Sequence, residues 1–358
     1  MKNILFLIFS VLSFSSLFSQ IPTSKIDTAK TTQPSKSITI IGVGDIMLGT
    51  NYPDLNNLPP NDENILAELS DVLKNADVTF GNLEGTLFDE GGTPKKCNNP
   101  ATCYVFRTPS KYGKYLVDAG FDVMSIANNH SGDFGEEGRN KTKENLDELG
   151  IKYAGLLNTN ESVIFEKNGI TYGFVAFAPN NGTVNINDIS RAKEIISELD
   201  KKVDIVIVSF HGGAEGAKYE NVPKKNEIFL KENRGNVYEF SRAVIDAGAD
   251  LVFGHGPHVT RAFDLYKGKF IAYSLGNFAT FGMFNLNGPN GLAPIIKLSV
   301  NEKGDFISGE IIPVFQTKDV APKIDPENRV IEKIISLTQE DFPESQLNIS
   351  ADGKVTVK

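Results

Sequence analysis

One unit recurs along this chain: a short apolar run that stops at a small cluster of glycine and polar side chains. Residues 38–43 run into Gly44-Asp45, and residues 77–80 into Gly81-Asn82-Leu83-Glu84. Residues 122–127 run into Asn128-Asn129-His130, and residues 204–210 into His211-Gly212-Gly213. Residues 250–253 lead to Gly254-His255-Gly256-Pro257-His258, and residues 270–275 to Gly276-Asn277. Uninterrupted runs of this length suit strands buried on both faces, because a half-solvated strand would alternate. Helical patterns lie between them. Leu66, Leu69, Val72 and Leu73 share one helical face, as do Tyr115, Leu116 and Ala119, and residues 139–149 and 236–247 read the same way. Gly120, Gly150 and Gly248 stand where helix C-caps are expected. Strands alternating with helices predict an α/β fold.

The pattern also says where function should lie. In such sheets ligands bind beyond the carboxyl ends of the strands. The chain has just four histidines, at 130, 211, 255 and 258, and all four occupy these tips. Imidazoles gathered with carboxylates suit Zn²⁺, Mn²⁺ or Fe better than Ca²⁺, which prefers oxygen alone. For any single tip the alternative is ordinary turn or cap chemistry, and it stays open for Asn129 and Asp133 because Asn and Asp favour such places.

Net charge is −9 and no Lys/Arg stripe forms. Nucleic acid is thereby disfavoured as a partner, since counterion release needs concentrated positive charge. An anionic substrate must instead be met locally, by metal ions or by strand-end and helix-end groups. Residues 1–20 read as a signal peptide: Lys2, an apolar run over residues 4–12 broken only by Ser10, then Ser13, Ser15, Ser16 and Ser19. The run is shorter than the roughly 18 residues of a membrane helix, so export to the periplasm or beyond is expected, with an uncleaved anchor as the alternative. Residues 21–37 read as a flexible linker, 38–320 as the functional domain and 321–358 as a C-terminal extension. Cys97 and Cys103 are the only cysteines. In an exported chain such a close pair predicts a disulfide, with a two-cysteine metal site as the weaker reading.

Seven blocks then carry a resemblance: GDIMLG at 44–49, GNLEGTL at 81–87, FRTP at 106–109, AGFDVMSIANNHSGDFG at 119–135, SFHGG at 209–213, DAGADLVFGHGPHV at 246–259 and YSLGNF at 273–278. In order and content they resemble the signature blocks of the CapA family, associated with synthesis or export of capsular poly-γ-glutamate. That family in turn resembles the calcineurin-like metallophosphoesterases. The resemblance implies a four-layer αββα sandwich and one or two divalent metal ions, Mn, Zn or Fe. It implies Asp45, Glu84, Asn129, His211, His255 and His258 as metal ligands. His130 would be the catalytic imidazole, oriented by Asp133, and Asn82 and Asn277 would bind substrate. The substrate it implies is a phosphoester or a γ-glutamyl polymer, hydrolysed with metal. Capsule-synthesis membrane proteins are the implied partners, and a non-catalytic polymer-binding subunit is the other reading.

Three positions depart from the pattern. Metallophosphoesterases begin with Asp-x-His, but Met47 follows Asp45 here at the histidine's place. Gly212 stands where the family carries Trp, and Gly256 where it often carries another His. The charged insert at 219–234, YENVPKKNEIFLKENR, also looks peculiar to this chain and reads as either a substrate-facing flap or a solvated loop.

Overall fold

The strands pair into two main sheets, as the resemblance implies. The computed structural model describes residues 37–97 and 103–358. The expected signal peptide at 1–20, and the linker except Ser37, lie outside the described residues. The chain enters the first sheet with β1 (Ile38–Met47) and β2 (Val78–Leu83). A side ribbon of β3 (Thr86–Leu87) and β4 (Arg107–Thr108) follows, then β5 (Val123–Ser125) and β6 (Lys152–Ala154). β1, β2, β5 and β6 run parallel.

The second sheet comes next, with β7 (Ser162–Lys167), β8 (Ile170–Phe177) and β9 (Ile205–His211). A small hairpin, β10 (Ile228–Phe229) and β11 (Glu232–Asn233), projects from it. β12 (Leu251–His255), β13 (Phe263–Tyr266) and β14 (Lys269–Ala272) complete the order β13-β14-β12-β9-β8-β7. The chain then returns to the first sheet with β15 (Asn277–Thr280), β16 (Leu292–Val300), β17 (Phe306–Thr317) and β18 (Val320–Ile324). β19 (Leu347–Ile349) and β20 (Lys354–Val357) finish that sheet as β19-β20-β17-β16-β1-β2-β5-β6, with β15 beside β1 and β18 beside β17.

Apolar side chains decide how the layers stack. Ile40, Phe80 and Val123 of the first sheet meet Phe174, Ile207 and Phe253 of the second in one shared core. On the outer face of the first sheet, α1 (Ser70–Leu73), α2 (Gly113–Asp118) and α3 (Gly135–Glu148) lay Leu73, Leu116 and Leu146 over Ile41, Val43 and Met124. On the outer face of the second, α4 (Ile189–Asp200) and α5 (Val237–Asp246) lay Ile196 and Val244 over Val208 and Val252. Both begin at side-chain caps, Asp188 accepting from Arg191 N and Asn236 from Glu239 N. The result is the four-layer αββα sandwich. No helix among the described residues is long and apolar enough to cross a membrane.

The stretch 321–358 is not an appendage, contrary to the sequence reading. α6 (Arg329–Asp341) buries Val330, Ile331 and Ile334 in the same core as Leu347 of β19 and Val355 of β20. The reason is geometric: β20 hydrogen-bonds β17, so the chain's last strands extend the first sheet. Cys97 and Cys103 form the expected disulfide, with Cα atoms 5.6 Å apart, which sets aside the two-cysteine metal site. The loop between them, 98–102, lies outside the described residues. Because Ile334 is fully buried, Ile334→Ala should cost about 2–5 kcal/mol of stability in urea unfolding followed by circular dichroism. A loss under 1 kcal/mol would mean that the C-terminal segment packs independently.

Candidate metal centre

Strand register assembles the site. Pairing of β1 with β2 and with β15 puts Asn82, Asp45 and Asn277 in one row. Pairing of β9 with β12 puts His211 beside His255. Along β1, Ile38 and Ile40 face the second sheet while Ile41 and Val43 face the helices. The register of β1 slips between Gly42 and Asp45, after which Ile46 faces the helices instead. The slip re-aims Asp45 toward the second sheet, as bulges next to functional sites commonly do. Asn277 arrives differently from the other tips. β14 ends at Ala272, and the chain crosses between sheets so that Asn277 opens β15 instead of ending a strand. The crossover hugs β1: Asp45 N donates to Gly276 O at 2.8 Å, and any side chain at Gly44 would collide with that carbonyl.

His258 sits at the centre. Its backbone is left-handed, with φ 56°, a conformation that a non-glycine residue keeps only where its surroundings require it. Nδ1 lies 3.0 Å from both Asp45 Oδ2 and Asn277 Oδ1, and Nε2 lies 3.6 Å from Glu84 Oε1. Asn82 Nδ2 donates to Asp45 Oδ1 at 2.9 Å. The His211 ring is 6.3 Å from that of His258, centre to centre.

His130 approaches from the other side. Its Nδ1 is 2.8 Å from Asp133 Oδ2, and its Nε2 looks toward Glu84 Oε1 at 4.0 Å. Asp133 is fixed by Phe106 N at 2.6 Å and by an ion pair with Lys95 Nζ at 2.5 Å. Phe106 stacks on the His130 ring at 4.0 Å and on Phe284, which meets His258 edge-on. The two rings each cover one side of an imidazole.

Burial and charge set the protonation states. Burial would depress His258, but the charge of Glu84 and the hydrogen bond and charge of Asp45 push it up to about 10. Burial would raise Asp45, but His258 draws it down to about 2. Glu84 is held well above the usual carboxylate range, by burial first and by the charge of Asp45 second. Burial lowers His211, His255 and His130, the last against the opposing pull of Asp133.

The residues fit a metal ion. Asp45, Glu84 and His258 offer donor atoms within 4.8 Å of one another. Both carboxylate oxygens of Glu84, both ring nitrogens of His211 and Oδ1 of Asn129 are buried without a hydrogen-bond partner among the described residues. Unmade buried partners are costly, about 1–3 kcal/mol each, so the four such atoms of Glu84 and His211 around His258, with a fifth on Asn129 next to His130 in the chain, point to an absent ligand. The donor set is mixed N/O, as Mn, Zn or Fe would use.

Two sequence expectations change. His255 is not aimed at this cluster, because its Nε2 is bonded to Val43 O at 3.0 Å and its ring packs edge-on against Phe80. Asn82 and Asn277 are buried and committed internally, Asn82 to Asp45 and Asn128, Asn277 to His258 and Asn290. They hold Asp45 and His258 in place, and so committed they are not turned toward substrate. The insert bears out the solvated-loop reading, since Tyr219, Ile228 and Leu230 are exposed, although Glu227 at the foot of the β10–β11 hairpin is held by the buried Arg261. Sequence reading missed Lys95, Asn128, Glu215 and Arg234. Asn128 stood in a quoted tip and takes the His130 N–H on its Oδ1 at 3.0 Å; the two cations carried no local signal.

The Asp45–His258 pair makes stability depend on pH. His258 is raised from 6.5, so its contribution is complete below pH 6.5 and is lost as pH rises toward 10. Asp45 is lowered from 3.8, so its contribution is complete above pH 3.8 and is lost toward pH 2. In metal-free protein the stability difference between wild type and His258→Asn should therefore peak between about pH 4 and pH 6.5. Urea titrations across pH measure it, and a difference flat from pH 5 to 9 would refute the pairing.

Comparison with known proteins agrees with the resemblance in the blocks. Residues 39–281 match the family described as Bacterial capsule synthesis protein PGA_cap. Capsule biosynthesis protein CapA of Bacillus anthracis is 31% identical over 263 residues, covering 68% of this chain and 60% of the relative. PGA biosynthesis protein CapA of Bacillus subtilis (strain 168) is 32% identical over 253 residues, covering 66% and 61%. The chain thus spans about three-fifths of the length of these relatives. Looser similarities in structure are to a hypothetical protein from Thermus thermophilus (TM-score 0.47, 15% identity, 80% of this chain and 99% of that one) and a putative 5'-nucleotidase from Staphylococcus aureus (TM-score 0.44, 14% identity, 84% and 58%). On its sequence match, the chain belongs to the bacterial capsule synthesis protein PGA_cap family.

Proposed function

We propose that this chain is an exported, metal-dependent hydrolase of capsule metabolism, acting on a γ-glutamyl polymer or on an envelope phosphoester. The observation that carries this reading is the pairing of unpartnered buried ligand atoms on Glu84 and His211 with a separately oriented imidazole, His130, whose Nε2 faces Glu84. Asp45, Glu84, Asn129, His211 and His258 would hold one or two divalent ions, which would supply Lewis-acid charge to a phosphoryl or carbonyl oxygen. The chain's own chemistry centres on His130. Asp133 accepts the Nδ1 proton and so leaves the Nε2 lone pair facing the pocket. Burial keeps the ring neutral. Nε2 therefore takes a proton from attacking water and returns it to the leaving group. The signal-like stretch at 1–20 and the Cys97–Cys103 disulfide support export, and capsule-synthesis membrane proteins are the expected partners.

A second reading, a polymer-binding subunit without turnover, is favoured by the missing imidazoles at Met47 and Gly256. His130 separates the two. If the protein is a hydrolase, His130→Ala should lower Mn²⁺-dependent turnover by about 10²–10⁴-fold with little change in metal content. His211→Ala should lose metal and activity together. Assays use bis(p-nitrophenyl) phosphate and poly-γ-glutamate, with metal content read by atomic emission. Metal-loaded wild type that binds poly-γ-glutamate yet cleaves neither compound would establish the binding subunit.

A further inference from the structure

The two glycines that replace larger family residues, and the insert that reads as peculiar to this chain, meet at one place. Gly213 N donates to Arg234 O at 2.9 Å, and a Cβ added at Gly212 would stand 2.9 Å from the same carbonyl. A Cβ at Gly256 would lie 2.9 Å from Gly212 N and O and 3.2 Å from His211 Cδ2. Neither position has room for the Trp or His of the family pattern. The backbone of Arg234, the last residue of the insert, takes the place against Gly212, beside the tip that carries His211.

Arg234 is held there firmly. Its Nη2 donates to Glu215 Oε1 at 2.7 Å, and Nε lies 3.0 Å from Glu232 Oε2. Arg234 N donates to Glu227 O at 2.8 Å, and Glu227 is clamped by both terminal nitrogens of the buried Arg261. The side chain is only 4% exposed, yet neither Nη1 nor Nε has a hydrogen-bond partner among the described residues, and Nη1 lacks even the ion pair that Nε makes with Glu232. Its positive charge is felt by both Glu84 and His211. A buried guanidinium with a fixed fork and one unpaired arm is suited to an oxyanion, which it recognises through directed hydrogen bonds. The pocket is otherwise rich in carboxylates, so a polyanion would need such a cation beside any metal.

We propose that Arg234 is a substrate-binding residue, whose Nη1 donates to an oxygen of a phosphoryl or carboxylate group while Nη2 stays on Glu215. The inference rests on reading the cluster as a site for an anionic substrate. It holds for a hydrolase and for a polymer-binding subunit alike.

Calorimetry on the full, Mn²⁺-loaded protein tests it, with inorganic phosphate and γ-glutamylglutamate as probes and Mn²⁺ alone as control. Arg234→Gln should bind Mn²⁺ at least as tightly as wild type, because a nearby positive charge is gone, and should lose about 10- to 100-fold in anion affinity. Arg234→Lys keeps the charge but cannot serve Glu215 and the ligand together, so it should lose about 10-fold and decides the matter if Arg234→Gln does not fold. Loss confined to phosphate assigns a phosphoryl group, and loss confined to γ-glutamylglutamate assigns a carboxylate. Wild-type affinity for both anions in either folded variant, or no anion binding by wild type, overturns the proposal. Failure of His130→Ala to alter turnover would instead strike the hydrolase reading and leave these binding results standing.

Discussion

Two imidazoles from one short stretch tie the two sheets together at the site. His255 Nε2 reaches Val43 O and His258 Nδ1 reaches Asp45, and both partners lie on β1 of the opposite sheet. The first bond is buried and the second half-buried, so leaving either unmade would cost more than making it gains. His258 can reach only with a left-handed backbone, a distortion that costs on the order of 1–3 kcal/mol. The slip in β1, the aim of Asp45 and the distance to Glu84 all depend on the sheets staying docked at this seam. The division of labour is clear: one histidine fastens, the other titrates.

Within the pocket, protons balance charges that a cation would otherwise balance. Glu84 is driven toward its neutral form beside Asp45, and His258 toward its charged form between two carboxylates. A divalent ion seated there would displace both protons, so its affinity would climb with pH. The other positive groups come from outside the shared blocks. Lys95 neighbours the disulfide and steadies Asp133, while Arg234 ends the charged hairpin. Segments that look peripheral in sequence thus supply the positive side of an acidic site.

Much of this was legible in the sequence because burial on both faces leaves a plain mark. The apolar runs announced β1, β2, β5, β9 and β12, and the polar residues after them marked the site edge. The split into two sheets came only with the family resemblance, since apolar periodicity says nothing about which strands pair. His255 misleads because its partner is a backbone carbonyl far away in sequence, and a carbonyl has no letter. Asn277 misleads because a crossover between sheets looks locally like the end of a strand. β19 and β20 are short, with only Leu347 and Val355 buried in the shared core, too little apolar signal to distinguish them from a tail. Arg234 is hidden by its company: a charged run reads as solvated unless one knows that Glu215 and the paired Arg261–Glu227 lie beneath it.

The place of β1 in the first sheet has a consequence for how the molecule comes into being. It is the first strand synthesised among the described residues, yet two of its three sheet partners, β15 and β16, belong to the last third of the chain. Until Leu292–Val300 emerges, the run Ile38-Thr39-Ile40-Ile41 presents an unpaired apolar edge, which is a template for wrong pairing. Closure of such distant contacts is slow because loop entropy must be met before pairing is rewarded. The carboxylate that opens the site therefore sits on a strand that waits longest for its partners, and a chaperone that shielded that edge would in effect guard the site before it exists.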